Sequence, residues 1–183
     1  PANAAQLAVF RQVTDGCDVP RSLSATGGIL LGPDYHFDMV RPGIGLYGAL
    51  PFAEAQPVVR LSLPVIQTRM VQPGEFVGYS ATWTADATRR IATVAAGYAD
   101  GILRSISSKG ASLYAGGTAC PIVGRVSMDL MTIDLRGVDG VRAGDPVTLW
   151  GPALPVETVA EAAGTISYAL TCGITRRVRF VNA

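Results

Sequence analysis

Residues 90–101 read RIATVAAGYADG, a run of small and apolar residues that ends in a turn signal. Isoleucine, threonine and valine favour the extended backbone, so the run predicts a buried strand over residues 89–96. Gly97 removes a side chain immediately before Tyr98, and the Asp-Gly pair at 100–101 is a turn signal immediately after it. The stretch predicts a tyrosine at a rigid strand end, where a packing role is the more typical one and a functional role of the phenol stays open.

Short segments with period-two hydrophobicity surround this stretch from about residue 58 onward. Residues 72–75 (QPGE) predict a hairpin turn. Alternation of apolar residues in the segment 129–135 predicts a one-sided strand with Asp134 on its polar face. The predicted elements are strands over 58–65, 76–84, 89–96, 111–115, 120–126, 129–135 and 146–150, a helix over 156–163, a turn over 166–170 and a closing strand over 176–181. We therefore predict a mainly β C-terminal domain, antiparallel and barrel-like, over residues 51–183.

The first 50 residues have a different pattern. Asn3 is a candidate cap for a helix over about residues 4–13, and Asp15-Gly16 would end it. A short strand over 21–24 and glycine-rich segments follow. Helix, strand and glycine-rich turns are typical of α/β folds, and they fit the last units of a (β/α)₈ barrel over residues 1–50.

Composition narrows the class of protein. Hydrophobic residues make up 49% of the 183 residues and charged residues 16%, so we expect a partner or further chain to cover apolar surface. A net charge of +1 without charged blocks argues against binding to nucleic acid or an anionic membrane. No signal peptide or membrane-length run is present, and the three widely spaced cysteines are typical of free thiols, so a cytoplasmic location is expected. The single histidine, His36, argues against histidine-based zinc or serine-protease chemistry.

Two glycine-rich segments are candidate anion sites. Arg41 opens the sequence RPGIG, in which the N–H groups of Gly43 and Ile44 can face a phosphate. Thr26 precedes a Gly-Gly pair and could add its hydroxyl to the same phosphate. Each segment alone is more typical of an ordinary strand-to-loop junction than of an anion site.

Taken together, the motifs resemble those of a known family. The sequences VRPGIGLYG (40–48), AGYADG (96–101), GRVSMD (124–129), TISY (165–168) and CGITRRV (172–178) occur in this order. The set is similar to the alanine racemases, which use pyridoxal 5′-phosphate (PLP). The resemblance covers essentially the whole chain and corresponds to the end of the PLP-binding barrel and the complete C-terminal β domain.

The resemblance implies a set of cofactor-binding residues. Arg41 matches the arginine paired with the pyridine nitrogen of PLP, and Gly43 and Ile44 match the backbone donors to its phosphate. Thr26 stands where the family usually has a phosphate-binding serine. Tyr168 matches a phosphate-binding tyrosine near the C-terminus.

The resemblance also implies the residues that act on the substrate. Tyr98 matches the tyrosine that exchanges the α-proton on one face of the amino acid. Met128 matches the residue whose backbone N–H helps to hold the substrate carboxylate. In the family these two residues complete the site of a neighbouring subunit, so a homodimer with shared active sites is implied.

A PLP racemase also needs a lysine that holds the cofactor as a Schiff base and serves the opposite face. The only lysine, Lys109, lies in a polar Ser-Ser-Lys-Gly segment that does not match the family's cofactor lysine, and we interpret it as a solvated surface residue. The cofactor lysine is therefore expected in an N-terminal portion of the same protein, before Pro1.

The function implied by the resemblance is interconversion of L-alanine and D-alanine by two-base proton exchange, with no metal. The sequence leaves open whether D-alanine is made for the bacterial cell wall or degraded. A racemase for another or a broad range of amino acids is the close alternative. A non-catalytic fragment that acts only as a dimerisation or binding module is the alternative of a different class.

Overall fold

A computed structural model of the protein describes residues 1–108 and 110–182, which divide into two units after Gln56. The sequence placed this division after residue 50, at the start of the proline-flanked segment 51–57. The predicted surface role of Lys109 lies outside the described residues. The two units are described separately below.

The first unit begins with helix α1 (Ala2–Thr14) and continues with a short helix α2 (Thr26–Ile29) and 3-10 turns at Pro33–Tyr35 and Ile44–Tyr47. Because α1 starts at Ala2, Asn3 lies inside its first turn, and its predicted role as the cap is wrong. The end of the helix is as predicted, since Asp15 is its C-cap.

The strand predicted over residues 21–24 is not formed. Its extended segment makes a single parallel bridge, between Ala25 and Arg41, beside a hydrogen bond of 2.8 Å from the Arg41 N–H to the Ser24 carbonyl. The backbone then enters α2 at Thr26, which ends the extended conformation after one pairing. Because the segments that pair at Ala25 and Arg41 run parallel, Thr26 and the 41–45 loop nevertheless lie at the same end of the pairing.

The second unit is built mainly from strands. They are β1 (Leu61–Val71), β2 (Phe76–Val77), β3 (Trp83–Thr84), β4 (Arg89–Val94), β5 (Ser112–Ala115), β6 (Thr118–Pro121), β7 (Met131–Asp134) and β8 (Pro146–Trp150). Strands β4 and β8 form where the sequence predicted them. The predicted strand 76–84 is instead the β2–β3 hairpin, because a 3-10 turn at Tyr79–Ala81 with positive φ at Ser80 interrupts it.

Six strands of this unit form one antiparallel sheet in the order β6-β5-β8-β1-β4-β7. The two outer strands meet through a bridge between Ile122 and Ile133 and a 2.9 Å hydrogen bond from the Val123 N–H to the Thr132 carbonyl. The sheet therefore closes into a barrel, which removes the unpaired edges of an open sheet. Strand β1 spans the barrel, pairing with β8 through its first half and with β4 through its second.

Alternating apolar residues fill the barrel, as the pattern predicted for most strands. Leu61, Leu63 and Val65 of β1 are buried, and the residues between them are exposed. Asp134 departs from this rule, since it is 2% exposed although it was predicted on a polar face. Its carboxylate accepts hydrogen bonds from the backbone N–H and the guanidinium of Arg136, and this pairing satisfies the buried charge.

Two helices follow the barrel strands. Helix α3 (Val156–Ala163) has the predicted limits and ends at Gly164 in a left-handed conformation. The segment 166–170, predicted as a turn, is instead the start of helix α4 (Ser167–Gly173), with Ile166 as the N-cap. The closing strand predicted over 176–181 is not formed, because the β6–β7 contact already closes the barrel and the chain after α4 packs on another loop.

Candidate functional site

Tyr98 lies on the surface of its unit, directly after β4. The strand ends at Val94, and Tyr98 begins a 3-10 turn that runs to Asp100. The residues on either side of the strand end are buried, whereas Tyr98 is 45% exposed. A rigid barrel strand therefore carries a phenol that solvent or a second molecule can reach.

The turn that carries Tyr98 is bonded to the loop that carries Met128. The N–H of Tyr98 donates to the Ser127 carbonyl at 3.1 Å, and the N–H of Ala99 donates to the Met128 carbonyl at 3.0 Å. A Cβ on Gly97 would collide with the carbonyl oxygens of Ser127 and Met128. Glycine is required at position 97 because of this close approach. Its backbone conformation imposes no such requirement, because a φ of −153° is open to any residue.

Met128 stands at the tip of a tight turn. Ser127 and Leu130 bond to each other, through the Ser127 N–H at 2.8 Å and through the Ser127 hydroxyl, which accepts from the Leu130 N–H at 3.1 Å. Within the part of the chain that the structure describes, the N–H of Met128 makes no hydrogen bond. This exposed donor is suited to an anion such as a carboxylate.

A charged cluster that the sequence patterns did not indicate connects these two loops. Arg177 contacts Asp100 (Nε to Oδ1, 3.2 Å) and Asp129 (Nη2 to Oδ1, 2.6 Å). The other carboxylate oxygen of Asp100 accepts the N–H of Gly97 at 2.9 Å. The hydrogen bond that Arg177 donates to Asp129, aided by the charge of Asp100, raises the pKa of the Arg177 guanidinium. A single side chain thus joins the turn that carries Tyr98 to the loop that carries Met128.

The segment after α4 also holds the Tyr98 turn through its backbone. The Thr175 hydroxyl donates to the Ala99 carbonyl at 2.9 Å, and the Thr175 N–H donates to the Asp100 carbonyl at 3.1 Å. Gly101 has a φ of +98°, and a Cβ there would collide with the Gly173 carbonyl. The motif CGITRRV indicated this segment, although neither its spacing nor its composition indicated which loop it touches.

Tyr168, the remaining predicted residue of this unit, lies in the first turn of α4 and is 42% exposed. Its carbonyl accepts the Thr171 hydroxyl at 3.2 Å, a bond within the helix. Helix α4 ends at Gly173, which lies against Gly101, so the helix that carries Tyr168 is anchored to the turn that carries Tyr98.

In the first unit, Thr26 and the 43–45 loop form one cluster. The buried Thr26 hydroxyl oxygen accepts N–H bonds from Gly43 at 2.9 Å and from Gly45 at 3.4 Å. Among the described residues, the Thr26 hydroxyl proton has no acceptor and the N–H of Ile44 has no partner. Gly43 was predicted as a donor to phosphate, but in this structure its N–H serves Thr26.

The space around this cluster is open. A Cβ built on Gly27 or Gly43 would meet nothing within 4 Å, so a ligand atom can approach the backbone at both positions. A cavity of about 400 Å³ lies beside α2, lined by residues that include Ser24, Gly27 and Gly28. The cluster has the features of an anion cradle, with a hydroxyl and a backbone N–H as its unused donors.

Arg41 is held beside the cradle. Its guanidinium donates to the Ser22 hydroxyl and, at 3.2 Å, to the Leu23 carbonyl. These two acceptors fix the plane of the guanidinium while leaving other N–H groups of the fork available. The structure therefore brings together Arg41, Thr26 and Gly43 in one unit, and Tyr98 and Met128 in the other.

Two further kinds of site are absent over residues 1–108 and 110–182. No cluster of three or more His, Cys, Asp or Glu side chains there could hold a metal ion. No helix in this part of the chain has the length and apolarity to cross a membrane.

Two family models match the chain, and both describe domains of one class of isomerase. The model described as "Alanine racemase, C-terminal domain" matches residues 58–182, and the one described as "Alanine racemase, N-terminal domain" matches residues 1–51. Since the first of these covers more than half of the chain, the chain belongs to the alanine racemase family. The fold class predicted from the sequence, a mainly β antiparallel barrel preceded by part of the α/β barrel domain, is confirmed.

Individual relatives agree with this assignment. An alanine racemase of Jannaschia sp. (strain CCS1) is 58% identical over 98% of this chain and 52% of its own length. The crystal structure of a biosynthetic alanine racemase from Pseudomonas aeruginosa is 41% identical, with a TM-score of 0.89 over 97% of this chain and 51% of its own. An alanine racemase from Bartonella henselae with covalently bound pyridoxal phosphate is 36% identical, with a TM-score of 0.89 over 96% of this chain and 50% of its own. The chain thus spans about half the length of the relatives it matches.

Proposed function

We propose that the full-length protein racemises alanine, with Tyr98 as the acid/base on one face of the α-carbon. The observation that carries this proposal is the exposed phenol of Tyr98, held at the end of a barrel strand and bonded through its backbone to the Met128 loop. A racemase needs proton-transfer groups on two opposite faces, and Tyr98 supplies one of them. A lysine elsewhere in the full-length protein supplies the other.

The cofactor we propose is PLP, which when bound withdraws electrons from the amino acid and so acidifies its α-carbon hydrogen. The first unit fits the phosphate of this cofactor through the unused Thr26 hydroxyl proton and Ile44 N–H, and through the open space at Gly27 and Gly43. Gly43 contributes by orienting Thr26 as well as by lining the space. By resemblance to the family, Tyr168 is also proposed as a ligand of the phosphate.

Arg41 is the proposed partner of the cofactor's ring nitrogen. A guanidinium stays charged and has no proton-accepting atom, so it donates to the ring nitrogen and keeps it unprotonated. A carboxylate at that position would do the reverse. The bonds to Ser22 and Leu23 hold the donor plane of Arg41 in place.

Met128 and Tyr98 act on the substrate together in this proposal. The unpaired N–H of Met128 binds the carboxylate of alanine and so sets its orientation toward the phenol. Both residues are about half exposed on their own unit and are therefore available to a neighbouring subunit. We propose a homodimer in which they complete the partner's site, in a cytoplasmic enzyme with free cysteines.

The direct test uses circular dichroism to measure racemisation of L-alanine and of D-alanine by the full-length protein loaded with PLP. We expect turnover in both directions and a visible absorption band from bound cofactor. Turnover of serine or lysine in preference to alanine would assign a different substrate. Cofactor binding without turnover of any amino acid would favour a non-catalytic role.

Thr26→Val is expected to weaken PLP binding by about tenfold, because it removes the hydroxyl while keeping the side-chain shape. Thr26→Ser retains the hydroxyl and is expected to bind PLP nearly as well as the original protein. The measurement is PLP affinity of the full-length variants by fluorescence titration. Equal affinities of the valine and serine variants would contradict the phosphate role of Thr26.

A further inference from the structure

Among the described residues, Arg177 is the one side chain that forms ion pairs with both Asp100 and Asp129. Its Nε contacts Asp100, two residues after Tyr98, and its Nη2 contacts Asp129, one residue after Met128. Asp100 continues the chain of contacts, since its second oxygen accepts the N–H of Gly97. A planar fork bridging two carboxylates fixes both distance and angle between the loops that bear them.

In the Met128 loop, only Ser127 and Met128 accept backbone hydrogen bonds from the turn that begins at Tyr98. Other groups must therefore hold the opposite side of this turn. Thr175 and Arg177 supply that hold, because both belong to the segment after α4 and both contact the turn that begins at Tyr98. The Arg177 N–H also donates to the Thr175 hydroxyl oxygen at 3.4 Å. The turn is therefore clamped between the Met128 loop and the segment 175–177.

We propose that Arg177 is a positioning residue for Tyr98: by bridging Asp100 and Asp129 it holds the Tyr98 turn in register with the Met128 loop. This inference rests on the proposed racemase function. Arg177 does not touch the substrate in this account and acts only through the two loops.

Because the side chains around Arg177 are partly exposed, an experiment can distinguish a positioning role from a purely structural one. The side chains of Arg177 and Asp129 are 51% and 54% exposed, so water and salt screen their attraction and that pair contributes little to global stability. Asp100 is only 13% exposed, but its hydrogen bond from the Gly97 N–H remains when Arg177 is replaced. Catalysis is more sensitive, since a displacement of about 1 Å in a reacting group can lower the rate by about 10²-fold. Loss of Arg177 should therefore affect proton transfer by Tyr98 far more than unfolding.

The test compares Arg177→Gln, Arg177→Lys and a control, Arg142→Gln, in the full-length enzyme. Arg142 is an exposed arginine of the same unit that pairs with Asp145 at 3.8 Å. We expect Arg177→Gln to lower kcat by about tenfold with little change in KM, and Arg177→Lys to recover only part of the loss, because an ammonium cannot span both carboxylates as the fork does. Arg142→Gln is expected to match the original enzyme.

Two readouts report on position directly. Amide hydrogen exchange over residues 97–101 is expected to be about tenfold faster in Arg177→Gln than in the original protein, with the melting temperature unchanged. The primary deuterium isotope effect is expected to rise for the α-deuterated enantiomer whose proton Tyr98 removes and to fall for the other. A general loss of folded enzyme would move neither isotope effect.

The outcomes separate this inference from the function on which it rests. An active enzyme in which Arg177→Gln equals Arg142→Gln in kcat and in exchange would overturn the positioning role and leave the racemase proposal intact. A fall in activity matched by a fall in melting temperature, with unchanged isotope effects, would also overturn it. An original enzyme that does not racemise alanine would instead reject the proposed function.

Discussion

Full-length enzyme carrying Tyr98→Phe is expected to lose about 10²–10⁴-fold of its alanine racemisation rate, the usual contribution of one acid/base group. The substitution removes only the hydroxyl, while the backbone bonds of the turn to Ser127 and Met128 remain. Folding should therefore be unaffected. The loss should also be one-sided: exchange of the α-proton with solvent stops on the face served by Tyr98 and continues on the other.

The experiment follows proton exchange of each alanine enantiomer in D₂O by NMR. Tyr114→Phe is the matched control, since Tyr114 lies in strand β5 and its hydroxyl has no hydrogen-bond partner among the described residues. It should exchange both enantiomers at the original rates. Equal loss on both faces in Tyr98→Phe would contradict the two-base assignment, whereas unchanged rates would remove Tyr98 from the reaction.

Gly97→Ala is expected to be the most damaging substitution in the β4 region, costing about 3 kcal/mol of unfolding free energy. A methyl group at this position collides with the carbonyl oxygens of Ser127 and Met128, which are backbone atoms and cannot rotate away. The two loops must separate, and the N–H bonds of Tyr98 and Ala99 lengthen or break. Racemisation should fall together with stability, as measured by kcat and by urea unfolding of the full-length protein.

Gly140→Ala is the comparison, because alanine at position 140 would be strained by its backbone conformation and not by a collision. Gly140 has a φ of +80° but open space around its Cβ position, so alanine there costs only about 1 kcal/mol of backbone strain. Activity should be retained. If Gly97→Ala were no worse than Gly140→Ala, the close approach of the two loops would not be a requirement of the fold.

The local patterns predicted the elements that depend on nearby residues. Helix α3 and strand β8 have the predicted limits, because proline, glycine and regular hydrophobic periods mark their ends. The stretch around Tyr98 formed the predicted strand and turn for the same reason. The assignment of site residues came from resemblance to a family, and their proposed roles stay predictions.

Elements that depend on distant partners were not predictable. Residues 176–181 have a strand-like pattern, but the barrel had already closed between β6 and β7, which left no edge to pair with. The burial of Asp134, which is 2% exposed, also depends on how its strand packs in the barrel, and the alternation over residues 129–135 does not encode it. The bridge from Arg177 to Asp100 and Asp129 joins residues far apart in the chain, and no periodicity encodes it.

The closure of the barrel has a consequence for how precisely Met128 is held. Residues 124–130 leave the closure after Ile122 and Val123 and return to it at β7, so the bridge between Ile122 and Ile133 ties the two ends of the Met128 loop together. A loop whose ends are joined in this way has lost most of its configurational freedom before any substrate arrives. Opening of the contact between Ile122 and Ile133 would return that freedom to the loop, and the Met128 N–H, the proposed donor to the substrate carboxylate, would lose its fixed position.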